Sequence, residues 1–389
     1  MLVTYASPNR SHHYHYASAL AGAGCLQRFV CGFSRFSPRA ALPEIGDKML
    51  RADHLQNFYL TSLKLRLPTA ISDELAYLSK IWIDRLAEKP ARASDIFLFY
   101  SGAGLRTAQR LQSTGVICMV EAVNGHVLVQ ERIMQEEHRL RGLPPPRFHP
   151  REVKRRVREY ELADAILCPS NFVRESFESE GFSRDRLFVV PYGASFPTVS
   201  LPPRQADGIF RVLYVGQIGV RKGLGYLFDA FERLRYPKKE LWIVGPRAAQ
   251  TGIENVRPPD GTRFFGTLKG DELVRAYYDS SVFVLPTVEE GLALVLGEAL
   301  SFGLPVVTTV NSGGADLFQD GREGFLVPIR SAEALAEKLQ KLADDPALRQ
   351  SMSAAARTRA KSLGGWETSG RLLVETLTSI AKKPGRRIK

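Results

Sequence analysis

A chain of 389 residues exceeds what one hydrophobic core can organise, so two domains are expected. With 44% hydrophobic, 10% aromatic and 24% charged residues, the composition excludes disordered and fibrous classes. A net charge of +12 favours an anionic partner: nucleic acid, a phosphate-bearing substrate or an acidic lipid surface.

In chain order, the first half alternates short apolar runs with longer amphipathic ones. LVTYA, QRFVCGF, IFLFY, VICMV and AILCP read as strands, with helical stretches between them. The second half repeats this with RVLYVG, LWIVG, RFFG, VFVLP and PVVTT. Near-continuous apolar strands such as VFVLP imply parallel sheets covered by helices on both faces. The fold class is therefore α/β, with a parallel sheet in each half. Between the halves, PYGASFPTVSLPPRQADG has neither period and reads as a linker. The boundary is set near residue 203, giving domains 1–203 and 204–365. Two open α/β sheets would enclose a ligand beyond the carboxyl ends of their strands.

The four cysteines Cys25, Cys31, Cys118 and Cys168 form no C-x-x-C pair and point to a reducing, cytoplasmic setting. No run reaches the roughly 18 apolar residues of a membrane span, and the start lacks signal-peptide order, so neither an integral nor a secreted protein is expected.

Two segments carry candidate chemistry. In LPTVEEGLALVLGEALSFGLPVVTT, residues 285–309, Glu290 sits where a loop is expected to meet a helix, and Glu298 lies eight positions on. At ~1.5 Å rise per residue they stand up to about 12 Å apart along the axis, comparable to the span from sugar to ribose in a nucleotide sugar. The N–H groups of Gly291, Leu292 and Ala293 at the helix start suit a diphosphate between those carboxylates. In YVGQIGVRKGLGYLFDAF, residues 214–231, a strand ending at Gly216 and Gln217 runs into a loop carrying Arg221 and Lys222. A cationic loop there suits phosphate. It is neither a Walker loop nor the G-x-G-x-x-G fingerprint.

The order of segments resembles glycosyltransferase family 4, retaining enzymes of GT-B fold. YVGQIGVRKG, LWIVG, FFGTLKGDEL, VFVLPTVEEGLALVLGEAL, GLPVVTT and SGGADLFQDGREGFLVP follow the family's order. EAVNGHVLVQERIMQEEH, ELADAILCPSNFVRESF and FVVPYGAS look like its amino-terminal domain. The resemblance implies two Rossmann-like domains facing across a cleft, with a final helix, 366–381, crossing back to the first. It implies transfer of a hexosyl group from a UDP- or GDP-sugar to a hydroxyl of a saccharide or lipid-linked acceptor, as in polysaccharide biosynthesis. Carried over, Glu290 contacts the donor sugar, Glu298 the ribose and Lys222 the diphosphate. Gly266 and Leu268 line the base pocket. Arg221 replaces an arginine that many relatives carry at the position of Gln217. Ala293 and Gly297 depart from the family's pattern, so local helix packing is expected to differ.

His126 matches a histidine that faces the reacting sugar in relatives; as a neutral imidazole it would orient or stabilise charge. Glu121, nearby, is expected to pair with Arg132. His12 and His13 are placed on the acceptor side, without an accompanying acid and hence without a metal. No D-x-D pair occurs. Phosphate charge therefore falls to Arg221, Lys222 and the helix start, and no metal or other cofactor is expected.

The run 149–165 places Val153, Val157 and Tyr160 on one face among Lys154, Arg155, Arg156 and Arg158, a helix that could lie on anionic lipid at the inner face of the membrane. Two rivals remain. IFLFYSGAGLRTAQ is an incomplete dinucleotide fingerprint, with Thr107 at the third glycine position. The chain could also be a non-catalytic polyanion-binding protein on a transferase scaffold, though no nucleic-acid motif supports binding beyond charge.

Overall fold

The computed structural model describes all residues except 38–39, 41, 195–206, 248–251, 254–255 and 383–389. The boundary near residue 203 lies outside the described residues, as does most of the basic tail.

Two parallel sheets form. The first holds β1 (Val3–Ser7), β2 (Leu26–Cys31), β3 (Met49–Arg51), β4 (Ile96–Tyr100), β5 (Ile117–Glu121), β6 (Ala165–Cys168) and β7 (Leu187–Val189), in the order β3-β2-β1-β4-β5-β6-β7. The second holds β8 (Phe210–Val215), β9 (Lys239–Val244), β10 (Thr262–Gly266), β11 (Val282–Leu285), β12 (Val306–Thr309) and β13 (Gly324–Val327), in the order β10-β9-β8-β11-β12-β13. Each chain half starts near the centre of its sheet, winds to one edge and then crosses to the other side. The switch points, β1/β4 and β8/β11, are where loops part and leave a crevice.

Burial explains which strands were legible. β11 and β12 are buried at every position, as helices on both faces require. β10 is an edge strand whose Phe264 and Phe265 are exposed. The last helix, Gly365–Ala381, packs on His13–Gly22 of the first domain. There a Cβ on Gly370 would lie 2.6 Å from that of Ala19, so a larger residue would force the helices apart. Trp366 stacks on His15 with ring centroids 4.2 Å apart, and Ser369 donates to the Pro191 carbonyl.

Two sequence expectations are corrected here. The basic helix, Pro150–Leu162, turns its apolar face inward: Tyr160 is fully buried, and Val153 and Val157 pack beside it on the first sheet. Arg155 is buried against Asp84 and Glu159, and Arg156 donates to Ser101 and Tyr160. That face cannot meet lipid. The glycine loop after β4 is also filled: the amides of Gly102, Gly104 and Leu105 all donate to Glu159. A side-chain carboxylate sits where a dinucleotide's pyrophosphate would have to lie.

Candidate active site in the interdomain cleft

The cationic loop follows β8 at the switch point. Val220–Lys222 form a single 3₁₀ turn that ends on Gly223 at φ +69°. A Cβ at Gly223 would lie 1.9 Å from the Pro286 carbonyl oxygen, so glycine is required for the loop to drape over the end of β11. The Arg221 carbonyl accepts from Val288 N–H at 2.9 Å and from Thr287 Oγ1 at 3.0 Å. These bonds stitch the two loops together and bring the cations onto Glu290. Arg221 Nη1 lies 2.6 Å from Glu290 Oε2, and Lys222 Nζ pairs with the same oxygen. Burial pushes the Glu290 carboxyl up, but Arg221 and Lys222 outweigh it and hold the group below its usual range. Burial pushes the Lys222 ammonium down, against the pull of Glu290.

Beyond Glu290 the chain stays irregular through Ala293, and the helix is Leu294–Ser301. Glu290 thus precedes the helix rather than opening it. The Ala293 amide donates to the Ser312 carbonyl at 3.1 Å, so it is not a free donor for phosphate. Glu298 is half-buried on that helix and accepts from Tyr277 O–H at 2.9 Å. Burial pushes its carboxyl up. Gly297 meets Ala194, where a Cβ would come within 2.5 Å, which accounts for glycine at this position.

A cavity of about 320 Å³ lies between the domains. One wall is Gly216, Lys222, Glu290 and Leu292–Val295; the facing wall includes His12, His13, Tyr100, Asn124 and Tyr192. The structure therefore gathers His12, His13, Gly216, Lys222, Glu290, Leu292 and Ala293 around one space. Gln217 and Arg221 face a second cavity behind the loop, which Lys222 shares. Gly266 stands exposed at the end of edge strand β10, with its carbonyl accepting from Gly245, and Leu268 is half-buried nearby. Neither lines the cleft cavity.

His126 is not brought to the cavity either. It caps the helix Val127–Leu140, its Nδ1 accepting from Leu128 N–H, and its ring is enclosed by Tyr160, Phe177 and Phe182. Burial holds its imidazole down to about 4. The structure thus places the His126 ring within this aromatic cluster and not on the wall of the cleft cavity.

The histidines at the amino-terminal wall do have an acid. Glu121, at the end of β5, lies 2.6 Å from His12 Nε2 and 3.1 Å from His13 Nδ1, and accepts from Tyr5 O–H at 2.6 Å. Its expected partner Arg132 pairs with Glu180 instead. Burial pushes the Glu121 carboxyl up, yet His13 and His12 outweigh it and keep it ionised. Burial, helped by His13, holds His12 down to about 4, so His12 is neutral near pH 7. A neutral His12 that donates from Nε2 to Glu121 carries its lone pair on Nδ1. The donor atoms of His12, His13 and Glu121 lie within 4.8 Å of one another, a spacing a cation could use. The hydrogen bonds among Tyr5, the histidines and Glu121 already satisfy the carboxylate without one.

Two residues went unnoticed in the sequence. Glu289 is fully buried at the domain junction and accepts from Gln130 Nε2, Gly125 N–H and Asn124 Nδ2 of the first domain. Tyr192 is buried with its ring stacked on His12, and its hydroxyl has no partner among the described residues. Neither carries a local signal: Glu289 looks like its neighbour Glu290, and Tyr192 sits at the edge of the linker.

Residues 203–359 match the family model described as glycosyl transferases group 1. The carboxyl-terminal domain is thus similar to the group 1 glycosyl transferases. Among curated relatives, sulfoquinovosyl transferase SQD2 of Arabidopsis thaliana is 37% identical over 149 residues, covering 38% of this chain and 29% of its own length. The chain therefore spans less than a third of that plant protein. The amylovoran biosynthesis glycosyltransferase AmsK of Erwinia amylovora is 25% identical over 347 residues, covering 85% of this chain and 78% of its own. HepE of Anabaena, solved in complex with UDP-glucose, superposes with a TM-score of 0.67 at 15% identity, covering 97% of this chain and 100% of its own. The fold of this chain is GT-B.

Proposed function

We propose that the chain transfers a hexosyl group from a nucleotide diphosphate sugar, a UDP- or GDP-sugar, to a hydroxyl of a saccharide or lipid-linked acceptor, with retention and without a metal. The carrying observation is that Lys222 and Glu290 meet on one wall of a cavity whose other wall is His12, His13 and Tyr192. Lys222 and the first-turn N–H groups of helix Leu294–Ser301 receive the diphosphate, Glu290 the sugar hydroxyls and Glu298 the ribose. Arg221 supports the loop through Glu290, and Gly266 and Leu268 flank the base. HepE was solved with UDP-glucose, which favours a uridine donor within this reading. The acceptor lies against Tyr192 and His12.

In the reaction the bond from the anomeric carbon to the phosphate oxygen breaks and its electron pair leaves with the diphosphate. The acceptor oxygen bonds to the anomeric carbon and gives up its proton. Fixed cations and N–H dipoles lower the barrier because they meet charge as it develops in a cleft that excludes water. The proposed setting is the cytoplasm, which suits four free thiols.

Mass spectrometry of wild-type protein against a panel of nucleotide sugars tests the reading. Turnover of one donor, abolished in Glu290→Gln, is expected. No turnover of any donor, alongside salt-sensitive binding to polyanions that Glu290→Gln leaves intact, would overturn it.

A further inference from the structure

The hairpin of helix Asp53–Lys64 and the first half of helix Thr69–Ala91 is built inside out. Its inner seam is polar: Ser62 Oγ lies 2.9 Å from Ser72 Oγ, and Ser79 donates to Gln56 at 2.7 Å, all four residues buried. Its large apolar side chains face out instead. Phe58 is 63% exposed, Leu63 50%, Leu65 66%, Leu67 40% and Ile71 46%. A surface helix in water buries that face, and a contiguous apolar patch with a polar rim marks a surface with a partner.

Charge identifies the partner. The hairpin tip reads Leu63, Lys64, Leu65, Arg66, Leu67, every one exposed, with Arg66 closing the turn at φ 54°. Arg147 reaches the same tip, bonded to Thr69 Oγ1. Near the tip, Asp53 is paired with Arg35 and Glu74 with Arg151, so Lys64, Arg66 and Arg147 outnumber the remaining acid of the hairpin, Asp73. Leucines interleaved with cations suit an anionic bilayer, where apolar side chains enter the acyl boundary and the cations meet headgroups.

Position adds to this. Helix Thr69–Ala91 hands over to β4 and runs antiparallel to it, with Lys80 Nζ 5.9 Å from the ring centroid of Tyr100, a residue of the cleft cavity. The eleven residues from Lys80 back to Thr69 carry the helix ~16 Å past that strand end. The apolar tip therefore projects on the cleft side of the sheet. No helix among the described residues is long and apolar enough to cross a membrane, so attachment would be at the surface.

We propose that the hairpin from Phe58 to Ile71 is a docking surface for an anionic membrane. The full chain is sedimented with phosphatidylcholine vesicles with and without phosphatidylglycerol. The double variants Leu65→Ser/Leu67→Ser and Lys64→Glu/Arg66→Glu are run beside it, with thermal melts as the folding control. Wild type is expected to bind vesicles containing phosphatidylglycerol, and each double variant to lose roughly tenfold or more of that affinity. Wild type that stays in the supernatant overturns the proposal. So does binding that either variant retains, which would move the contact elsewhere on this basic chain. A dimer in light scattering that the leucine variant dissociates would show a second copy covering the face, and would overturn it too. Vesicle binding is read without donor or acceptor, so its failure leaves the transferase reading standing.

Discussion

Gln130 Nε2 donates to Glu289 Oε2 at 2.8 Å, and this bond joins the first domain to the Glu289–Glu290 loop of the second. The junction is close-packed around it. A Cβ on Gly291 would lie 1.8 Å from the Val123 carbonyl oxygen. Gly291→Ala is therefore expected to prop the domains apart, lowering kcat on the order of tenfold or more through misplacement of the two walls. Small-angle scattering should show a larger radius of gyration than wild type. An unchanged radius and rate would refute the close approach.

On the proposed reading, Lys222→Ala removes the cation that would meet the departing diphosphate. Loss of one preorganised charge contact in a closed site costs about 10²–10³ in kcat. The fold should survive, since Arg221 still pairs with Glu290. Glu290→Gln frees Lys222, while Arg221 keeps its bond to the Glu289 carbonyl, so nucleoside diphosphate alone is expected to bind the variant more tightly while sugar transfer is lost. Calorimetric titration with UDP and GDP separates these effects, and weaker diphosphate binding by Glu290→Gln would argue against the cation cradle.

Tyr192→Phe deletes a buried hydroxyl that has no partner among the described residues. Removing an unsatisfied buried polar atom should leave stability equal or raise it by about 1 kcal/mol. If the hydroxyl binds the acceptor, the acceptor KM should rise severalfold with donor KM unchanged. A loss of stability with no kinetic effect would show the hydroxyl to be structural.

His126 sets part of the acid sensitivity. Its imidazole titrates at about 4 in the fold, against an ordinary value of 6.5, because burial penalises the charged form and the nearby Arg156 and Arg132 add to this against Glu180. Between those pH values the unfolded chain binds more protons, so stability is full above 6.5 and falls as pH drops towards 4. His126→Gln should flatten the fall of the urea midpoint across that window. His12, also held down to about 4 by burial, keeps part of the slope. An unaltered slope in the variant would remove His126 from the account.

On the proposed reading, Lys222 and helix N–H groups would meet the diphosphate, and the His12/His13/Glu121 cluster is closed by its own hydrogen bonds, so metal removal is expected to leave turnover unchanged. Initial rates after treatment with EDTA check this. Activity lost on chelation and restored by a divalent ion would reverse the conclusion.

The α/β alternation was legible because parallel strands covered on both faces read as apolar runs, as in VFVLP and PVVTT. The edge strands β3, β7 and β13 were harder, since three or four residues with partly exposed faces carry little period. Val327 at the end of β13 was seen only inside a longer motif. The pairing of Glu290 with Lys222 was approachable from two separate segments because each follows a strand end, where parallel sheets converge. That His126 caps a helix within an aromatic cluster was not legible, because its ring partners Tyr160, Phe177 and Phe182 lie far along the chain.

Local chemistry written along the chain determined that this protein has two parallel-sheet domains, a cationic loop after one strand and an acid before a helix, since strand period and loop composition depend on near neighbours. Only the tertiary structure decided that Glu121 meets His12 across 109 positions, that Glu289 bridges the domains, and that the hairpin at Leu65 turns its leucines outward. Those outcomes depend on sheet register and domain docking, which bring together side chains whose separation in sequence carries no record of their distance in space.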